Sequence, residues 1–156
     1  MRGLNTLRAL VLAGALTVVS LIPSGPAQAE TFFNVNWRGV AVKGYDPVAY
    51  FTEGRPVRGL AMYELDWEGA RWRFANPGNM EKFRESPEKF APRYGGYCAY
   101  GVAVGGLYDI KPEAWSVVDG RLYLNKNLEI RETWRQDIDG YIRNADANWP
   151  GLRRGK

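Results

Sequence analysis

Two stretches, the first of strict alternation and each turning on an acidic residue followed by glycine, constrain this chain more than any other feature. Met62, Glu64 and Asp66 alternate with Tyr63, Leu65 and Trp67; after Glu68-Gly69, Arg71 and Arg73 alternate with Trp72 and Phe74. A period of two sends alternate side chains to opposite faces, and a glycine at the turn accepts positive φ, so the segment reads as a β-hairpin. Trp115, Val117 and Val118 then run into Asp119-Gly120, a two-residue type I′ signal, and Leu122, Tyr123 and Leu124 return as a second hairpin.

Helix signals surround the hairpins. Asp46 can cap, and Pro47 can start, a brief helix through Val48, Ala49, Tyr50 and Phe51 that Gly54 ends. Asn76-Pro77 opens another by the same logic, with Met80 and Phe83 on one face, and Ser86-Pro87 stops it. Leu128, Trp134, Ile138, Tyr141, Ile142 and Ala145 follow a helical stripe with a break signalled at Asp139-Gly140, and Trp149-Pro150 is expected to close the domain. Hairpins separated by helices, without βαβ alternation, predict an α+β fold: a small antiparallel sheet flanked by short helices and a C-terminal helix.

The N-terminus predicts a destination. Arg2 and Arg8 precede an uncharged stretch from Ala9 to Ile22, then Pro23, Gly25 and Pro26, then Ala27-Gln28-Ala29. That is the pattern of a secretory signal peptide over residues 1–29, too short to serve as a membrane anchor. The expectation is cleavage near Ala29, a domain over 30–150, a basic tail over 151–156, and a periplasmic or secreted protein without a membrane anchor. The apparent basicity is misleading. Setting aside Arg2, Arg8 and the terminal Arg153, Arg154 and Lys156 leaves 16 basic against 17 acidic residues. Nucleic acid or an anionic membrane is therefore not expected as the main partner.

The chain has no histidine and one cysteine. A Ser/His/Asp triad, a Cys/His pair, and zinc or haem held by histidine are thereby excluded. All 21 aromatic residues follow the signal peptide, which predicts a dense small core. Tyr94-Gly95-Gly96-Tyr97-Cys98-Ala99-Tyr100-Gly101 is the least ordinary stretch, with glycines where the backbone needs unusual φ or close approach.

Cys98 has no intramolecular partner for a disulfide, so it is a packed thiol, a reactive one, or one that pairs with another molecule. Reactivity needs a lowered thiol pKa, from amides of Gly95, Gly96 and Gly101 or from a cation such as Arg93 or Lys111. A metal site would combine Cys98 with Met62, Met80 or a carboxylate such as Asp46, and soft sulfur suits Cu(I). Tyr45, Tyr50, Tyr94, Tyr97, Tyr100 and Tyr108 could line a pocket with Asp46 and Asp109; the competing reading is an aromatic core with hydroxyls paired to backbone.

Several ordered motifs resemble the YHS domain family in its stand-alone secreted form. They are Gly44-Tyr45-Asp46-Pro47-Val48-Ala49-Tyr50-Phe51, Trp72-Arg73-Phe74-Ala75 with Asn79, Phe83, Pro87, Glu88 and Phe90, and Tyr94-Gly95-Gly96-Tyr97-Cys98-Ala99. Val118 to Asn125 and Ala145 to Pro150 extend the likeness over roughly residues 36 to 150. The resemblance implies a small module of the kind fused to copper-type transport ATPases and some oxygenases. Cysteine-bearing versions are associated with metal, but this chain has Ala75 where such a version carries a cysteine. Stand-alone relatives include selenoproteins with selenocysteine at the position of Cys98, which implies thiol chemistry there.

The combined expectation is an exported binding or thiol-redox accessory module centred on Cys98, with Tyr45, Asp46, Tyr50, Tyr94 and Tyr97 as binding residues; the enzymatic version would be a thiol peroxidase-like step through Cys98. A copper-type metal-handling module, with Cys98 and Met62 as ligands, and a purely structural or interaction domain are the alternatives. The partner would be a small molecule, a metal or another periplasmic protein.

Overall fold

The computed structural model describes residues 31–155, so the signal peptide expected over residues 1–29 lies outside the described residues. The fold is α+β, as the patterning predicts, with the strands paired as two separate two-stranded antiparallel sheets. The first joins β1 (Leu60–Trp67) to β2 (Ala70–Phe74), and the second joins β3 (Lys111–Val118) to β4 (Arg121–Asn125). Both turns adopt the expected positive φ at both central residues: 47° and 73° at Glu68 and Gly69, 49° and 70° at Asp119 and Gly120. That twist matches the twist of the strands it joins.

Each first strand also bulges. Leu60 and Glu64 pair with the adjacent residues Phe74 and Arg73, and Lys111 and Trp115 pair with Asn125 and Leu124. The extra residues bend the strand and turn side chains out of the ladder. In β3 the exposed Glu113 and the buried Pro112 both line the cleft described below.

Short helices pack over the hairpins: α1 (Ala49–Thr52), α2 (Pro77–Glu85), α3 (Pro87–Phe90) and α4 (Ala99–Ala103). Asn76 caps α2 by accepting from the Asn79 N–H at 2.8 Å, with Pro77 as first helical residue. Phe83 on α2 then lies 5.0 Å from Trp72 and 5.2 Å from Phe74, ring to ring, while Met80 packs against the same core.

The C-terminal stripe forms α5 (Leu128–Arg135) and α6 (Ile138–Arg154). The break falls at 136–137, just before the Asp139-Gly140 signal, because Asp137 accepts from the Gly140 N–H at 3.0 Å and caps a new helix. Trp149-Pro150 does not end the chain's regular structure. Proline removes one intrahelical donor, but Leu152 beyond it packs on the core and the Arg153 guanidinium sits 3.7 Å from the centre of the Phe32 ring, so α6 continues to Arg154.

Two apolar clusters result. One gathers Phe33, Trp72, Phe74, Phe83, Leu122 and Leu124 around the hairpins; the other gathers Tyr94, Val102, Tyr123, Trp134 and Ala145 beneath α6. Between them the chain passes through Tyr94, Gly95 and Gly96 with φ of 54°, 60° and 75°. A Cβ on Gly95 would stand 2.7 Å from the Phe32 carbonyl oxygen, so the unusual glycine stretch reflects close approach as well as φ. Among the described residues no helix is long and apolar enough to cross a membrane.

Candidate functional site

A cleft of about 550 Å³ lies between the start of the first motif and the loop entering β3. The backbone at Val42 and Lys43 is left-handed (φ 48° and 53°), which swings Lys43 outward before Tyr45. Tyr45 forms an isolated bridge with Arg58, whose guanidinium lies 4.7 Å over the Tyr45 ring and donates to the Lys43 carbonyl at 3.2 Å. Opposite, Tyr108 carries the Lys126 ammonium 5.6 Å from its ring centre. Lys111, Pro112 and Glu113, displaced by the β3 bulge, complete the wall.

The lining is electrically one-sided. Lys43, Arg58, Lys111 and Lys126 face two carboxylates, Asp109 and Glu113. Asp109 is occupied: it pairs with Lys43, accepts from Asn34 Nδ2 at 3.0 Å and accepts from the Ile110 N–H at 2.8 Å. Partial burial alone would raise its pKa, but these donors outweigh burial and hold it below the usual carboxylate value. The cleft therefore keeps cations without internal partners of equal number, beside two aromatic faces.

A smaller cavity of about 230 Å³ adjoins the cleft and shares Tyr108 and Lys126 with it. Its other walls are Cys98, Tyr100, Gly101, Val104 and Ile130. The Tyr108 ring rests on bare backbone, since a Cβ at Gly101 or Gly106 would come within 2.5 or 2.6 Å of it. Its carbonyl accepts from the Cys98 N–H at 2.9 Å, which fixes the residue between the two spaces.

Cys98 is 1% exposed and sits at the N-cap of α4. Its sulfur accepts from the Gly101 N–H at 3.4 Å and donates to Asn125 Oδ1 at 3.6 Å. Asn125 Oδ1 also accepts from the Tyr100 N–H at 3.1 Å, and Asn125 Nδ2 has no hydrogen-bond partner among the described residues. Burial pushes the thiol pKa up; backbone donors at Gly101, Lys126 and Tyr100 and the Lys126 charge pull it back without reversing the shift. The nearby cation is thus Lys126. Arg93 is engaged with Asp146 at 2.9 Å, and Lys111 faces the cleft.

The other sequence candidates separate. Asp46 is fully buried, and its carboxylate accepts from the Val48 and Ala49 N–H groups at 2.8 and 3.3 Å, the Ala75 N–H at 2.8 Å and Asn79 Nδ2 at 2.7 Å. It ties α1, the end of β2 and α2 together. Tyr50 is buried with its hydroxyl donating to the Pro112 carbonyl at 3.1 Å, and Tyr94 is buried with its hydroxyl donating to Asp146 at 3.0 Å. Burial raises the pKa of both phenols, with Glu113 adding to it at Tyr50 and Asp146 at Tyr94. Tyr97 is buried against Trp149. Tyr45, Tyr108 and Asp109 do meet in the cleft, and Tyr100 lines the cavity beside Cys98.

Met62 is 75% exposed on β1, whereas Cys98 is buried, and among the described residues no group of three or more Cys, Asp or Glu is placed to hold a metal ion. The cations Lys43, Arg58 and Lys126 escaped sequence reasoning, because only the tertiary fold gathers them. The one local hint was the repeated Tyr-Asp pair at 45–46 and 108–109, which ends up on either side of the cleft.

Within this α+β frame, residues 48–94 match the family model of the YHS domain. That segment of 47 residues, about a third of the chain, is similar to a YHS domain. No curated protein and no solved structure matches it. The matched segment runs from α1 through both helices after the first hairpin and stops at Tyr94. Of the cleft residues it contains Arg58 alone, and Cys98 lies outside it.

Proposed function

We propose that this protein is a non-catalytic binding module that acts after export and holds a small organic anion in the cleft between Tyr45 and Tyr108. The observation that carries this reading is the charge of the cleft: four cations against two carboxylates, on a chain whose body is otherwise balanced. Fixed positive charge beside aromatic faces is what orients a carboxylate or phosphate on an organic body. The volume of about 550 Å³ falls within the range of small-molecule sites. The signal-peptide pattern over residues 1–29 supports action outside the cytoplasm.

Cys98 serves packing in this reading. A thiol whose pKa burial has raised is a poorer nucleophile at neutral pH than an exposed one, so burial argues against a redox centre. Metal handling lacks a second sulfur near Cys98, since its polar neighbours are Asn125 and backbone N–H groups.

The test is calorimetric titration of the mature protein with benzoate, alongside a variant carrying Arg58→Gln and Lys126→Gln. Both positions are at the surface, so the variant should fold normally. Saturable binding that weakens at least tenfold in the variant, and weakens with added salt, is expected. Absence of binding, or binding indifferent to the two substitutions, would overturn the reading.

A further inference from the structure

Resting on the anion-binding reading above, we infer that the cleft and the cavity beside Cys98 form one two-compartment site, and that its ligand is an amphiphilic carboxylate with an aryl or short alkyl tail. The two spaces have different chemistry and a common wall. The cleft is bounded by Lys43, Arg58 and Lys111, whereas Val104, Ile130, the Tyr100 ring and the buried Cys98 thiol dominate the cavity. Lys126 and Tyr108 belong to both.

Tyr108 is held as a divider. Its ring lies on Gly101 and Gly106, where any side chain would displace it, and its carbonyl is tied to the Cys98 N–H. A carboxylate at Lys126 would therefore stand at the junction, with the cleft cations on one side and an apolar recess on the other. The recess has room for a tail: apolar cavities of about 150 Å³ accept benzene, and this one is about 230 Å³. Val104, 57% exposed, and Tyr108, 47% exposed, are apolar surfaces that such a tail would cover.

Three probes separate the two compartments: acetate as head alone, 3-phenylpropionate as head plus tail, and 3-phenylpropanol as tail alone. Binding is read by 15N chemical-shift titration of the mature protein. The expected result is that 3-phenylpropionate binds at least tenfold tighter than acetate and than 3-phenylpropanol. Val104→Ser, at an exposed position, should remove most of that advantage without adding charge, and Lys126→Gln should weaken both acids. Bound 3-phenylpropionate should also slow alkylation of Cys98.

Equal affinities for acetate and 3-phenylpropionate, or insensitivity of 3-phenylpropionate to Val104→Ser, would overturn the two-compartment site and leave the cleft reading in place if benzoate still binds through Arg58 and Lys126. Failure of all the acids to bind would overturn both.

Discussion

Replacing Asp46 by alanine should be among the most damaging single substitutions in the chain, although the sequence offers the residue both as a helix cap and as a ligand-binding carboxylate. Its two oxygens accept four hydrogen bonds, three of them at 2.7 to 2.8 Å, from donors on α1, after β2 and on α2. Truncation strands those donors in a fully buried setting. At about 1–3 kcal/mol for each buried donor left without a partner, the three short bonds give about 3–9 kcal/mol. Water reaching the partly buried Ala75 N–H places the expected loss in the lower half, at about 3–5 kcal/mol. For a domain of this size that corresponds to a fall in Tm of about 10–20 °C. Asp46→Asn keeps the shape but turns one oxygen into a donor facing other donors, so an intermediate loss of about 2 kcal/mol is expected. Urea unfolding followed by tryptophan fluorescence at pH 7 measures both variants. A loss below about 1 kcal/mol for Asp46→Ala would refute the role of this carboxylate as the tie between the helices and the hairpin.

Other perturbations test the rest of the structure. Gly95→Ala forces a Cβ to 2.7 Å from the Phe32 carbonyl at φ +60° and should cost about 2–4 kcal/mol, whereas Gly105→Ala, at φ +84° with nothing within 4 Å, should cost about 1 kcal/mol; urea midpoints that do not separate the two would contradict the close-approach argument. Cys98 should be alkylated far more slowly in the folded protein than in denaturant between pH 7 and 9, and fast folded-state labelling would overturn its assignment as a packed thiol. Because its folded pKa is raised, Cys98 contributes stability that is fully present below the unfolded thiol pKa near 8.5 and is lost as pH rises through the folded value; the wild type should therefore weaken above about pH 8.5 more steeply than Cys98→Ala, and parallel profiles would refute the shift.

What was legible in the sequence is what local chemistry determines. Glu68-Gly69 and Asp119-Gly120 announce their turns because two left-handed residues in a row are costly for most pairs, and Asn76-Pro77 announces a helix because the cap and the ring act within three residues. The bulge in β1 was not legible, since nothing in Leu60 to Glu64 marks which residues the partner strand skips, whereas in β3 Pro112, which has no N–H for the ladder, was a signal left unread. The site shows the same division. The dipeptides Tyr45-Asp46 and Tyr108-Asp109 are identical in sequence, yet Asp46 is fully buried under four donors while Asp109 stands at the surface against Lys43. Only long-range packing distinguishes them. Lys43, Arg58, Lys111 and Lys126 come from four separate segments, so no spacing rule relates them. The YHS match ends at Tyr94, before most of the cleft, so family likeness describes the scaffold better than the site.

The most direct measurement is a 15N chemical-shift titration of residues 30–156 with benzoate. The expected result is saturable shifts confined to the amides of Lys43, Tyr45, Arg58, residues 108–111, Glu113 and Lys126, with the far end of α6 unmoved. Shifts scattered over the surface without saturation, or none at all, would contradict the assignment of this cleft as a binding site.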